Sequence, residues 1–161
     1  GFGDIHLGED PDLSIRLWAK GFTSRLFPKA FVYHKRRIDW NRFYIQVRKF
    51  GLVRPILNQW HPKTAKVTYW FPTLFVLGIG LAVLLGILGF YLPLYAYGGY
   101  FVLLFLESLI KNKSLSVALL SILAALIQFF GYGTGFLKST FLLNFSKKRP
   151  RELFPNLFFT K

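Results

Sequence analysis

Between Lys66 and Glu107 the chain reads VTYWFPTLFVLGIGLAVLLGILGFYLPLYAYGGYFVLLFL, 40 residues (67–106) without one charged side chain. A soluble domain of this length has no use for such a run, and no polar face recurs in it at helical spacing. The run predicts membrane-spanning helices, because lipid leaves backbone N–H and C=O groups no partner outside their own helix. Three spans can be drawn: Trp70 to Tyr91, Pro93 to Ile110 and Leu115 to Leu137. Each is close to the roughly 20 residues that cross a bilayer. Tyr69, Trp70, Tyr91 and Tyr132 sit near span ends, where interfacial aromatics belong. Gly78, Gly80, Gly86 and Gly89 permit close helix approach. The cluster Gly131, Gly133 and Gly135 reads as a break, suited to a re-entrant or interfacial element.

Outward from this run the chain is basic. The whole has 161 residues, 53% hydrophobic, with net charge +14 and neither cysteine nor methionine. The apolar content excludes global disorder, and the lack of cysteine excludes a disulfide scaffold and thiolate zinc sites. The missing methionine, with Gly1 first, predicts a piece of a longer protein. Residues 1–66 carry 13 Lys/Arg against 5 Asp/Glu, and residues 67–161 carry 8 against 2. The front is therefore placed in the cytoplasm by the positive-inside rule. Three full crossings would leave Lys147, Lys148, Arg149 and Arg151 on the far side, against that rule. Either the rule fails at the tail or one segment does not cross.

In the polar front, Pro11 to Ala19 reads as a helix. Asp10 or its neighbour serves as cap, Pro11 fits the first turn, and Gly21 closes the end. Phe22 to Phe27 and Ala30 to Tyr33 read as short extended segments broken by Pro28. Ile38 to Phe50 reads as a basic amphipathic helix, aromatic side down in the membrane interface, and residues 51–66 link it to the first span. Within Gly8-Glu9-Asp10-Pro11-Asp12, adjacent carboxylates point different ways. One can act as a base while the other holds a hydroxyl or a basic neighbour. His34-Lys35-Arg36-Arg37 suits anionic lipid headgroups or a diphosphate. Nucleic acid is not the partner, because this patch abuts membrane spans.

The ordered series Gly8-Glu9-Asp10-x-Asp12-Leu13-Ser14-x-Arg16-Leu17, Gly21, Pro28-x-Ala30-x-Val32-Tyr33-His34, Arg37, Gln46 and Phe50-Gly51 resembles the C-terminal half of a family-2 glycosyltransferase. Those are inverting enzymes of GT-A fold, many attached to membranes by C-terminal helices. The resemblance covers about residues 1–60. It implies an α/β fold: a truncated GT-A Rossmann-like part, then an α-helical membrane domain of two to three spans. The corresponding division is 1–37 catalytic part, 38–66 interfacial helix and linker, 67–138 transmembrane helices and 139–161 basic tail.

By the same resemblance, Asp10 is the catalytic base and Glu9 positions the acceptor, with further substrate contacts at Asp12, His34, Arg37, Gln46 and Lys49. Gln46-Val47-Arg48-Lys49-Phe50 is similar to the Gln-x-x-Arg-Trp motif of polysaccharide synthases. Lys49 stands where that motif has Arg and Phe50 where it has Trp, which removes a bidentate fork and an indole donor and favours single-sugar transfer. The implied partners are a nucleotide-sugar donor, a lipid-linked or cell-envelope glycan acceptor and membrane lipid, at the cytoplasmic face of the plasma (inner) membrane. Mg²⁺ or Mn²⁺ is implied, bound mainly by an N-terminal half carrying Asp-x-Asp, with no metal site in these residues. Without that half the piece is expected to be inactive. Two non-enzymatic readings stand beside this one: a membrane-anchored lipid-binding module, and a small transporter or channel subunit, for which Glu107 and Gln128 are the intramembrane candidates.

Overall fold

The structure, a computed structural model, describes residues 1–33 and 39–159. Among these, six helices follow in order: α1 (Glu9–Ala19), α2 (Trp40–Trp60), α3 (Phe71–Ile87), α4 (Leu92–Asn112), α5 (Leu115–Phe145) and the short α6 (Pro150–Leu153). Helix α1 begins two residues before Pro11, with Gly8 at the cap and Glu9, Asp10 and Asp12 in a first turn that favours negative charge. Pro11 sits within that turn, where its missing N–H leaves no helical bond unmade. The helix closes as expected at Gly21, whose φ is +84°. The N–H groups of Gly21 and Phe22 bond the carbonyls of Trp18 (3.0 Å) and Leu17 (3.1 Å).

The α/β, Rossmann-like reading is overturned. Among the described residues there is no strand and no sheet, only a single antiparallel bridge between Ile5 and Phe158. The extended stretch exists, but among the described residues nothing pairs with it. Between Thr23 and Tyr33 its one backbone hydrogen bond to a described residue is the local turn from Ala30 N–H to Phe27 O, 2.9 Å. Val32 is 88% and Tyr33 94% exposed. β-Branched and aromatic residues favour extended backbone, yet a strand is stabilised by cross-strand neighbours. The fold is helical.

Helix α2 opens on Asp39, whose carboxylate accepts the Arg42 N–H at 2.7 Å. Ile38, the predicted start, lies outside the described residues. The helix runs ten residues beyond Phe50 and passes through Pro55. An interior proline costs about 3 kcal/mol. The helix continues because its second half is core: Val53, Ile56 and Leu57 are buried with Ile5, Leu52, Phe154 and Leu157.

The triple glycine breaks nothing. Helix α5 runs unbroken for 31 residues. Its glycines are the points where other backbones come close. A Cβ on Gly135 would lie 2.5 Å from the Arg48 carbonyl oxygen of α2, and one on Gly133 would lie 2.6 Å from that of Pro72 in α3. Across the seam, a Cβ on Gly51 would collide with the Tyr132 carbonyl oxygen. Small residues here bring helix axes together as they do in membrane bundles. Thr73 Oγ1 donates to Gly133 O at 2.9 Å in the buried joint.

Three helical segments are long and apolar enough to cross a membrane: Val67–Ile87, Leu92–Asn112 and Leu115–Phe145. Phe75 ties them together, stacking on Phe129 at 4.0 Å while its carbonyl accepts the Tyr97 hydroxyl at 3.0 Å. The tail returns to the front. His6 N–H donates to Leu157 O (2.7 Å), Phe159 N–H to Asp4 O (2.8 Å), and Arg151 pairs with Asp4 (2.7 Å). Helix α5, about 46 Å long, lays its second half along α2, with Gly131 and Gly135 against that helix.

Candidate functional site

The site is built on the turn that seats α1 against α2. Leu7 stands at φ +62°, backbone that costs a branched residue about 1–2 kcal/mol. Gly8 follows because a Cβ there would lie 2.6 Å from Val53 Cγ1. The turn delivers Glu9 and Asp10 to the rim of a cavity of about 750 Å³. Gln46, Phe50 and Arg54, spaced four apart on α2, form its second wall. Pro72 of α3 with Gln128 and Tyr132 of α5 close it from the apolar helices. A neighbouring cavity of about 640 Å³ shares Asp10, Arg54 and Tyr69 and adds Lys63 and Lys66.

The two carboxylates on the rim differ. Asp10 is exposed and, among the described residues, is engaged by no ion pair. Glu9 is half-buried, and its Oε2 is a buried oxygen with no hydrogen-bond partner among the described residues. Arg54 lays its guanidinium over the Tyr69 ring, 4.5 Å from the centroid. That contact fixes a cation at the junction of the two cavities.

The residues expected from sequence divide. Asp10, Glu9 and Gln46 share the larger cavity. Asp12 turns away: its Oδ1 meets His61 Nε2 at 2.8 Å and its Oδ2 meets Arg16 Nε at 2.9 Å, and the residue is 5% exposed. It ties the start of α1 to the end of α2. Lys49 lies on the other flank of α2, beside Lys138 and the tail. His34 and Arg37 lie outside the described residues. Sequence reasoning did not assign Arg54, Tyr69 or Tyr132 to a site. The four-residue spacing of Gln46, Phe50 and Arg54 was the available signal, hidden by ending the helix at Phe50.

Among the described residues no group of three His, Cys, Asp or Glu side chains is placed to hold a metal ion. With Asp12 engaged on both oxygens, Glu9 and Asp10 alone do not make a resident Mg²⁺ or Mn²⁺ site. The family model described as "Glycosyl transferase family group 2" matches residues 1–132. No curated protein and no solved structure matches the chain.

Proposed function

Since the chain belongs to glycosyl transferase family group 2, and so to the enzymes of glycosyl transfer, we propose that Asp10 is its catalytic base. In this reading Asp10 takes the proton of an acceptor hydroxyl. The freed oxygen attacks the anomeric carbon of a nucleotide-sugar donor from the face opposite the nucleotide. The bond from that carbon to the diphosphate breaks, its electron pair leaves with the nucleoside diphosphate, and the configuration inverts. Glu9 positions the acceptor from the same rim, and Gln46 lines the opposite wall.

The observation that carries this is the position of an unpaired Asp10 on a cavity whose far wall comes from the apolar helices. A lipid-linked acceptor meets both requirements, a hydroxyl at the carboxylate and an apolar portion against α3 and α5; a cell-envelope glycan meets the first. The face is the cytoplasmic one of the plasma (inner) membrane. Support comes from the 13 Lys/Arg before the first span and from the basic tail bound to the same front.

The test is Asp10→Asn in the full-length protein. General-base catalysis contributes about 10²–10⁴-fold. Transfer should fall by that factor, while donor binding, read by calorimetry or ligand-induced thermal shift, persists. Turnover retained near the wild-type rate removes Asp10 from the role of base.

A further inference from the structure

On the flank of α2 away from Asp10 lies a separate cavity of about 320 Å³, enclosed by α2, α5 and the returning tail. Three cations line it: Arg48 and Lys49 from α2 and Lys138 from α5. No acidic residue lines it, and none of the three forms an ion pair among the described residues. Leu52, Phe154 and Leu157 supply an apolar wall.

We propose that this cavity binds the phosphate of an anionic membrane lipid. Three like charges on one small cavity repel each other, and Arg48 and Lys49 are half-buried, so water screens them incompletely. An anion between them removes the repulsion and supplies the missing acceptors. A bare inorganic anion has no use for the leucine and phenylalanine wall. A phosphodiester headgroup with its glycerol and first methylenes uses both parts. The position suits it as well, because Lys138 stands on the same helix whose first half is apolar enough to enter a bilayer, where long cationic side chains reach for the headgroup level. The site is independent of the proposed transfer reaction. It shares no lining residue with the Asp10 cavity.

The test uses full-length protein in nanodiscs of phosphatidylcholine with a minority of phosphatidylglycerol, with retained lipid read by native mass spectrometry. Wild type is expected to retain phosphatidylglycerol in preference to phosphatidylcholine. Lys138→Gln, at an exposed position that leaves the helix seam untouched, should weaken that preference about fivefold, the share of one surface cation, and Lys138→Arg should keep it. The triple change Arg48→Gln, Lys49→Gln and Lys138→Gln should abolish it. Lys147→Gln with Lys148→Gln, which removes tail charge outside the cavity, should leave it intact. No preference in wild type, a preference that survives the triple change, or an equal loss in the tail control each overturns the proposal. Competition with inorganic phosphate and glycerol 3-phosphate separates the sources. Displacement of the retained lipid by either at millimolar level would give the site to a soluble phosphate and overturn the lipid assignment.

Discussion

The two flanks of α2 are made from one helix and carry opposite chemistry. One flank presents Gln46, Phe50 and Arg54 to a cavity that receives Glu9 and Asp10. The other presents Arg48 and Lys49 to a cavity whose remaining charged lining residue is a further cation, Lys138. Between them, Gly51 lies against the backbone of α5. The difference comes from what each neighbour brings: α1 contributes carboxylates that suit a helix N-terminus, while α5 and the tail contribute lysine and apolar residues. A single partition helix thus separates an acid-bearing pocket from a basic one, and the stripe of contact with α5 holds both.

The most damaging way to break the comparison is to force α2 and α5 apart. Gly51→Val places side-chain atoms where the Tyr132 carbonyl now lies, and the Phe136 nitrogen is 3.0 Å from even the first of them. Backbone cannot yield as a side-chain tip does. The change should cost about 3 kcal/mol or more and erase both flanks together, donor binding on one and lipid preference on the other. Thermal unfolding in detergent and limited proteolysis read the first effect. A Gly51→Val protein with unaltered melting would show that the two helices are not in contact along this seam.

The second change should break one flank only. Asp12 accepts from Arg16 on its own helix and meets His61, the residue that ends α2. Asp12→Ala leaves both partners without their carboxylate. A hydrogen bond to a charged group contributes about 1.5–3 kcal/mol; Arg16 is 40% exposed and its share is screened by water, so the His61 contact dominates and a loss of roughly 2–3 kcal/mol is expected. Because α1 carries Glu9 and Asp10, transfer should fall with stability while the phosphatidylglycerol preference stays at the wild-type level. Asp12→Asn, which still offers an oxygen to His61, should recover part of the melting temperature. Equal losses on both flanks would mean that the clamp acts on the whole fold and not on the acidic side.

How far this was legible from sequence follows the same line. The stop at Gly21 was readable, because it depends on residues close in the chain, and Glu9, Asp10 and Gln46, drawn from ordered motifs, line one cavity. The cap of α1 was not: Asp10 or its neighbour was expected, yet the helix opens at Glu9 with Gly8 at the cap and no side-chain bond to it. The length of α2 was not: Gly51 and Pro55 are local stop signals, and only burial of Val53, Ile56 and Leu57 against the tail overrides them. Arg54 was lost to the site for that reason. Gly131, Gly133 and Gly135 carry the same letters whether they end a helix or admit a neighbour to it, and the neighbour is distant in sequence. Phe22 to Tyr33 carried strand-forming residues, but the partners a sheet requires are not a property of the segment.

The smallest expected effect bears on the wall of the basic flank. The tail that supplies Phe154 and Leu157 is joined to the front by the Arg151–Asp4 pair at 2.7 Å, with side chains 44% and 47% exposed. Exposed pairs contribute about 0–1 kcal/mol, and water and salt screen this one. Arg151 also reaches the Phe159 carbonyl at 3.3 Å and lies 5.4 Å from the Phe158 ring centroid, so the single change Arg151→Ala removes more than the pair. The double-mutant cycle with Asp4→Ala isolates the charge interaction. Its coupling should be under about 1 kcal/mol and should shrink in high salt. The buried attachment through Ile5, Phe154 and Leu157 should hold the tail in place in all four proteins, so the lipid preference survives every corner of the cycle. A tail that detaches on loss of this one pair, read as new protease cleavage between residues 146 and 159, would mean that the apolar attachment is not what places it beside the front.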